Sequence, residues 1–184
     1  MNTHNPWKVL ESNQIYDNAW IKVTEHQVIN PTGGQGIYGE VHFKNLAIGT
    51  VVLDADYNTW LVGQYRFPLK AYSWEIPEGG GSLLTDPVVS AKRELQEETG
   101  IRASSFTEIQ RMHLSNSVTD EYAIIYIAQD LEMGESSPED TEELVVRKLP
   151  FEEAYQMVLN SEITDSMSVA GILKTKLLID QGKI

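Results

Sequence analysis

The chain contains no cysteine. That excludes a disulfide framework, thiolate catalysis and a zinc–thiolate centre. Basic residues are scarce: 14 Lys and Arg stand against 27 Asp and Glu, a formal net charge of −13. So acidic a composition argues against nucleic acid as a partner, because binding to backbone phosphates needs a positive face. No apolar run approaches membrane-spanning length, and residues 1–6 are polar rather than a basic stretch followed by an apolar one. A cytoplasmic protein with neither a membrane nor a nucleic-acid partner is expected. The four histidines, His4, His26, His42 and His113, are scattered without ligand spacing and receive no role.

What is present suits a globular fold. A chain of 184 residues is long enough for one domain with a substantial core and a small appendage. Residues 7–43 read as a β meander, strand-like at 9–10, 19–26 and 38–42, with turns at 17–18 and 30–34. Too few apolar residues lie there for an independent core. The predicted division is therefore 1–45, a small antiparallel N-terminal sheet serving dimerisation and substrate contact, and 46–184, the main domain. In the main domain, 47–53 and 60–65 suggest a hairpin across 54–58. A strand at 73–77, a glycine turn at 79–81 and a helix follow. Further strands are expected at 105–114, 121–128 and 142–149, an acidic loop at 130–141, and closing helices at 150–160 and 165–180. Strands enclosing one helix, with helices after them, predict an α/β sandwich rather than a doubly wound sheet.

The chemistry concentrates in Arg93-Glu94-Leu95-Gln96-Glu97-Glu98-Thr99-Gly100-Ile101, just after Gly79-Gly80-Gly81. Glu94 and Glu98 are one helical turn apart with Glu97 beside them, so three carboxylates share one helix edge. Asp86 and Pro87 form an N-cap and N1 pair, Gly100 a C-terminal stop, and Val88, Ala91 and Leu95 an apolar stripe. Like charges at this spacing repel, which calls for a cation between them. Oxygen donors without Cys or His suit a hard ion, Mg2+ first and Mn2+ second. A solvated acidic face is the plain alternative for glutamates taken alone. The charge balance bears on this as well. Two unit charges about 4 Å apart interact by roughly 4 kcal/mol at an effective dielectric near 20. An anionic substrate and this helix are therefore compatible only through a metal.

In these residues the sequence resembles the Nudix hydrolases, whose signature runs from a glycine through Arg-Glu and Glu-Glu to a glycine and an aliphatic residue. Gly79 fills the first position and residues 93–101 the second half; Thr85 stands where the family carries a glutamate that supports the loop. The resemblance implies a Nudix-type α/β/α sandwich with a mixed sheet. It also implies Glu94 and Glu98 as main metal ligands, and Glu97 as a third ligand or the group orienting a metal-bound water. The backbone carbonyl of Glu78 is a further ligand, and Arg93 pairs with neighbouring carboxylates. Gln64-Tyr65-Arg66 followed by residues 73–79 is similar to the ADP-ribose and nucleotide-sugar pyrophosphatases, which implies Arg66 as a substrate contact. Glu121 matches a glutamate of that branch that binds ribose or positions water, whereas Asn116 and Ser117 replace its proline and glycine. Glu142 falls in the acidic stretch that supplies a general base there. Tyr16, Trp20 and Tyr38 are candidates to stack on a base, or simply to pack an interface.

The function this implies is Mg2+-dependent hydrolysis of the diphosphate linkage in ADP-ribose or another nucleotide sugar, giving a nucleoside monophosphate and a sugar phosphate, by a homodimer. The alternatives are a Nudix hydrolase of dinucleoside polyphosphates or damaged nucleoside triphosphates, and a catalytically weak nucleotide-sugar sensor.

Overall fold

The computed structural model describes residues 4–136 and 143–184, and the chain divides into two compact units. The first comprises residues up to 45 together with 113–121. Strands β1 (Lys8–Asp17), β2 (Ile21–Ile29) and β3 (Gln35–Phe43) form an antiparallel sheet in the order β1-β2-β3. Asparagine side chains set both turns. Asn18 Oδ1 accepts the N–H groups of Trp20 and Ile21, and Asn30 Oδ1 accepts those of Thr32 and Gly34. The 113–121 segment runs along β3: Val41 N donates to the Val118 carbonyl and Asp120 N to that of Val41. Among its described residues only Val28 is a fully buried hydrophobic side chain, so this unit is two exposed faces with almost no core of its own.

The second unit, 46–112 and 122–184, carries the core. A mixed sheet has the order β7-β4-β9-β8, from β7 (Glu78–Gly81), β4 (Leu46–Val52), β9 (Tyr122–Met133) and β8 (Ile101–His113). Within it β4 is parallel to β9 and antiparallel to β7. A second, antiparallel sheet has the order β10-β5-β6, from β10 (Val145–Pro150), β5 (Asn58–Arg66) and β6 (Ala71–Glu75). Helices α1 (Pro87–Thr99), α2 (Phe151–Leu159) and α3 (Ser166–Asp180) complete the unit. The near-continuous apolar runs of β4 and β9 are what strands covered on both faces require. Leu95 and Ala91 of α1 pack into clusters with Val52, Trp60 and Ile101, and with Ile48, Ile124 and Tyr126.

Two expectations need correction. The 54–58 turn forms, held by Asp54 Oδ1 accepting from the N–H groups of Asp56 and Asn58, but its flanking strands are not a hairpin. β4 and β5 belong to different sheets, because each needs its own partners on both edges: β7 and β9 for β4, β10 and β6 for β5. The glycines at 79–81 are likewise a short strand, not a bare turn. Their backbone pairs with β4, Ile48 opposite Gly79 and Leu46 opposite Gly81, and a ladder needs no side chains. Among the described residues no helix is long and apolar enough to cross a membrane.

Candidate active site

The acidic edge lies on a helix fixed at both ends. Asp86 caps α1 by accepting the Val88 N–H at 3.1 Å, Pro87 opens it, and Gly100 closes it in the left-handed conformation at φ 75°. Leu95 and Ala91 are fully buried on the core side. This leaves Glu94, Glu97 and Glu98 along the edge that meets β7.

Each carboxylate is placed by a specific contact. Glu98 is only 3% exposed, and its Oε2 accepts the backbone N–H of Glu78 at 3.0 Å. Glu94 lies directly over Gly79: a Cβ built there would sit 2.3 Å from the Glu94 carboxyl carbon. No side chain larger than hydrogen fits without displacing that carboxylate. Arg93 reaches back over the same edge, donating to Glu94 Oε1 at 2.6 Å, Glu97 Oε2 at 2.7 Å and the Gly80 carbonyl at 2.8 Å. Burial works against the Arg93 charge, but Glu94 and Glu97 outweigh it and raise the guanidinium above its ordinary value. Arg93 thus pairs with its neighbours, as the resemblance implies.

Beside this edge is a second cluster. Arg66, at the end of β5, donates through Nε to both oxygens of Glu75 at 3.0 Å and through Nη2 to Glu75 Oε2 at 2.5 Å. Nη2 also reaches Glu78 Oε1 at 3.2 Å. Glu75 is 2% exposed, a buried charge tolerated because the guanidinium fork satisfies it. The Glu78 side chain is 9% exposed, with Oε2 buried and without a hydrogen-bond partner. Burial, then the nearby Asp165 and Glu75 carboxylates, pushes Glu78 well above the usual carboxylate range. Asp165 in turn caps α3 through the Ser168 N–H, and Ser168 Oγ accepts the Ile76 N–H, tying the 76–78 backbone to that helix.

Of the residues singled out in the sequence, Glu78, Glu94, Glu97, Glu98 and Arg66 come together in the second unit. Glu121 belongs to the first unit, where its N–H faces Thr119 Oγ1. Glu142 lies outside the described residues. Glu75 and Asp165 were placed in a strand and at a helix start by the sequence but given no role at the site. An acidic residue two before a proline signals Glu75 only weakly, and Asp165 reads as a helix cap and nothing more.

The donor set is all oxygen on one helix edge. Among the described residues no three acidic or histidine groups are already gathered into a metal cage. Carboxylate and carbonyl oxygens are the donors a hard ion such as Mg2+ takes, with water and substrate phosphate completing its coordination. The carboxylate seated where a Cβ would be, together with the hard donors, fits such an ion.

Residues 43–167 match the Nudix domain family, and residues 7–41 match the nucleoside diphosphate sugar hydrolase N-terminal domain family. The chain is 31% identical over 172 residues to an ADP-ribose pyrophosphatase of Mycobacterium tuberculosis, covering 91% of this chain and 82% of that one. It is 28% identical over 167 residues to an ADP-ribose pyrophosphatase of Bacillus subtilis, covering 90% of each. Its fold superposes on the crystal structure of an ADP compounds hydrolase with a TM-score of 0.85 over the whole of both chains, at 19% identity. The chain belongs to the Nudix family. Within that family it is a pyrophosphohydrolase of the ADP-ribose pyrophosphatase-like kind.

Proposed function

We propose that the protein hydrolyses the diphosphate linkage of a nucleotide sugar with Mg2+, adding water across the P–O–P bond to release a nucleoside monophosphate and a sugar phosphate. ADP-ribose is the first substrate to test, then GDP-mannose and other nucleotide sugars. The observation that carries this reading is the Glu94 carboxylate over Gly79 with Glu98 held by the Glu78 N–H. Similarity to two ADP-ribose pyrophosphatases supports the choice of substrate.

In this reading Glu94 and Glu98 hold the ion, with Glu97 and the Glu78 backbone carbonyl as further oxygen donors. A bound Mg2+ supplies charge neutralisation at the phosphate oxygens and a more acidic water. Arg93 offsets the mutual repulsion of Glu94 and Glu97 through its bonds to both carboxylates. Arg66 meets a phosphate through Nη1, since Nε and Nη2 are committed to Glu75 and Glu78. Glu75 therefore acts through Arg66 by fixing the plane of its guanidinium. Glu121 is assigned to ribose or water positioning and Glu142 to proton removal from the attacking water, both on resemblance.

A homodimer built through the N-terminal sheet is part of the proposal. It is supported by the apolar side chains that unit leaves exposed, among them Leu10, Ile15, Trp20 and Ile37. A panel of nucleotide sugars, dinucleoside polyphosphates and nucleoside triphosphates, assayed with and without Mg2+, tests the reading. Nucleotide-sugar turnover that requires Mg2+ and falls by about 10²–10³-fold in Glu98→Gln is expected. Turnover unchanged in Glu98→Gln, or confined to triphosphates, overturns it.

A further inference from the structure

Between β6 and β7 the chain leaves one sheet of the second unit for the other. The last ladder pair of β6 is Glu75 with Val62, and the first of β7 is Glu78 with Gly49. Ile76 and Pro77 therefore lie in neither ladder, and their backbone groups need other partners. Three contacts fix this crossover. Ser168 Oγ accepts the Ile76 N–H at 3.0 Å, Thr50 N donates to the Pro77 carbonyl at 2.9 Å, and Glu98 Oε2 accepts the Glu78 N–H at 3.0 Å. Pro77 itself has no N–H to satisfy.

The Ser168 contact spans 92 positions of the chain. Ser168 is fully buried in the first turn of α3, and its own N–H is held by the Asp165 cap at 2.8 Å. The helix can approach this closely because position 171 is glycine: a Cβ there would stand 3.0 Å from Val51 Cγ2 and 3.2 Å from Ile125 Cγ2. Ser168 and Gly171, three positions apart, share that helix face. Gly49 leaves room on the β4 side, where a Cβ would stand 2.9 Å from Ile76 Cδ1. The buried Ile76 side chain thus sits between β4 and α3 while its N–H meets the serine.

What the crossover carries makes its position matter. One residue before Ile76 is Glu75, whose carboxylate holds the Arg66 fork. Two residues after it is Glu78, whose N–H is bonded to Glu98 and whose carbonyl is a metal ligand in the proposed reading. A shift at Ile76 is therefore passed to the arginine on one side and to the metal-binding carbonyl on the other. Near reacting groups, a displacement of about 1 Å can cost about 10²-fold in rate. Without the serine oxygen the Ile76 N–H is a buried donor with no acceptor, which favours a backbone shift that finds one.

We propose that Ser168 is a positioning residue of the hydrolase site: through the Ile76 N–H it sets where the Glu75–Glu78 crossover lies, and with it the Glu78 carbonyl. That role rests on the α1 edge holding an ion, as proposed above, and adds a residue from a different helix. The test is Mn2+ titration of the full-length native protein, Ser168→Ala and Val158→Ala, read by electron paramagnetic resonance at a temperature where circular dichroism shows each folded. Val158 is buried on α2, which supplies none of the three crossover contacts, so its truncation controls for a general loss of stability. Ser168→Ala is expected to weaken Mn2+ binding at least about tenfold, the scale of a lost outer-shell partner, and Val158→Ala to leave it unchanged. Hydrogen exchange of the native protein is the second measurement and needs no variant to fold. Coupling between two sites is reciprocal, so saturating Mg2+ should slow the Ile76 amide at least about fivefold more than the Met157 amide of α2. Mn2+ affinity unchanged in Ser168→Ala, affinity weakened equally in both variants, or equal Mg2+ effects on the two amides overturns the proposal. Mn2+ binding that depends on Glu98 but not on Ser168 defeats the positioning role alone. No Mn2+ binding by the native protein defeats the metal reading and the positioning role with it.

Discussion

The two units differ in how their functional groups are held. The glutamate edge of α1 is built from residues close in sequence, on a helix capped at both ends and buried along one side. The hydrogen-bonded row of Ser12, His26 and Glu40 in the first unit is built from residues far apart in sequence, on a sheet with almost no buried core. A local motif on a rigid element can be read directly from the chain. A row assembled by register on an open sheet cannot, and its side chains are fixed by hydrogen bonds to one another rather than by packing.

Substitutions along the helix edge should have the largest effects. Glu98→Gln should lower kcat about 10²–10³-fold, the scale seen when one charged or hydrogen-bonding stabiliser of a transition state is removed, and steady-state kinetics would show it. A loss smaller than tenfold would place the important carboxylate elsewhere. Gly79→Ala puts a methyl group where Glu94 now lies. It should reduce kcat by about tenfold or more, since displacement near 1 Å can cost 10²-fold, while overpacking costs about 1–3 kcal/mol of stability. Unchanged kinetics would mean Glu94 need not sit over that glycine.

Glu75→Gln breaks the paired fork that Arg66 makes with a buried carboxylate. A loss of about 1.5–3 kcal/mol is expected for hydrogen bonds to a charged group, read as a lower Tm. KM should rise more than kcat falls if Arg66 meets the substrate in its ground state. Asp54→Asn should have the smallest effect on turnover, because Asp54 bonds Asp56, Asn58 and Lys148 and none of the site residues. Asp54 gathers Lys148 and the N–H groups of Asp56 and Asn58; burial opposes its charge, but these partners outweigh it and lower its pKa from 3.8 to about 2. A depressed carboxylate stabilises the fold above its ordinary pKa, and that contribution fades as pH falls through the folded value. The Tm difference between native protein and Asp54→Asn should therefore be full at pH 7 and vanish near pH 2.

Much of the second unit was legible because its signals are local. Asp86-Pro87 and Gly100 bound α1, Asp165 marks the start of α3, and the apolar runs mark β4 and β9. The pairing of strands was not legible. The turn at Asp54 is the one the sequence suggests, yet it separates two sheets, a decision made by partners more than ten residues away. Glycine at three successive positions read as a turn because nothing local reveals that β4 lies alongside. In the candidate site the glutamates and Arg93 were evident, whereas the Glu75–Arg66 pair needed β5 and β6 to be placed side by side. In the first unit His26 and His42 looked idle, because their partners Ser12, Glu40 and Asp120 sit 14 or more positions away. Tyr16 and Tyr38, grouped from sequence as stacking candidates, lie on opposite faces: Tyr38 is opposite His26, Tyr16 is opposite Val23, and side chains alternate along a strand.

The central claim is that the edge formed by Glu94, Glu97 and Glu98 binds a divalent cation. Titration of the protein with Mn2+, followed by electron paramagnetic resonance of the free ion, tests it without reference to any substrate. Saturable binding to the native protein that weakens at least about tenfold in Glu98→Gln is expected, loss of a ligand costing no less than loss of a supporting partner. Equal Mn2+ binding by the two proteins, or none by either, would contradict it.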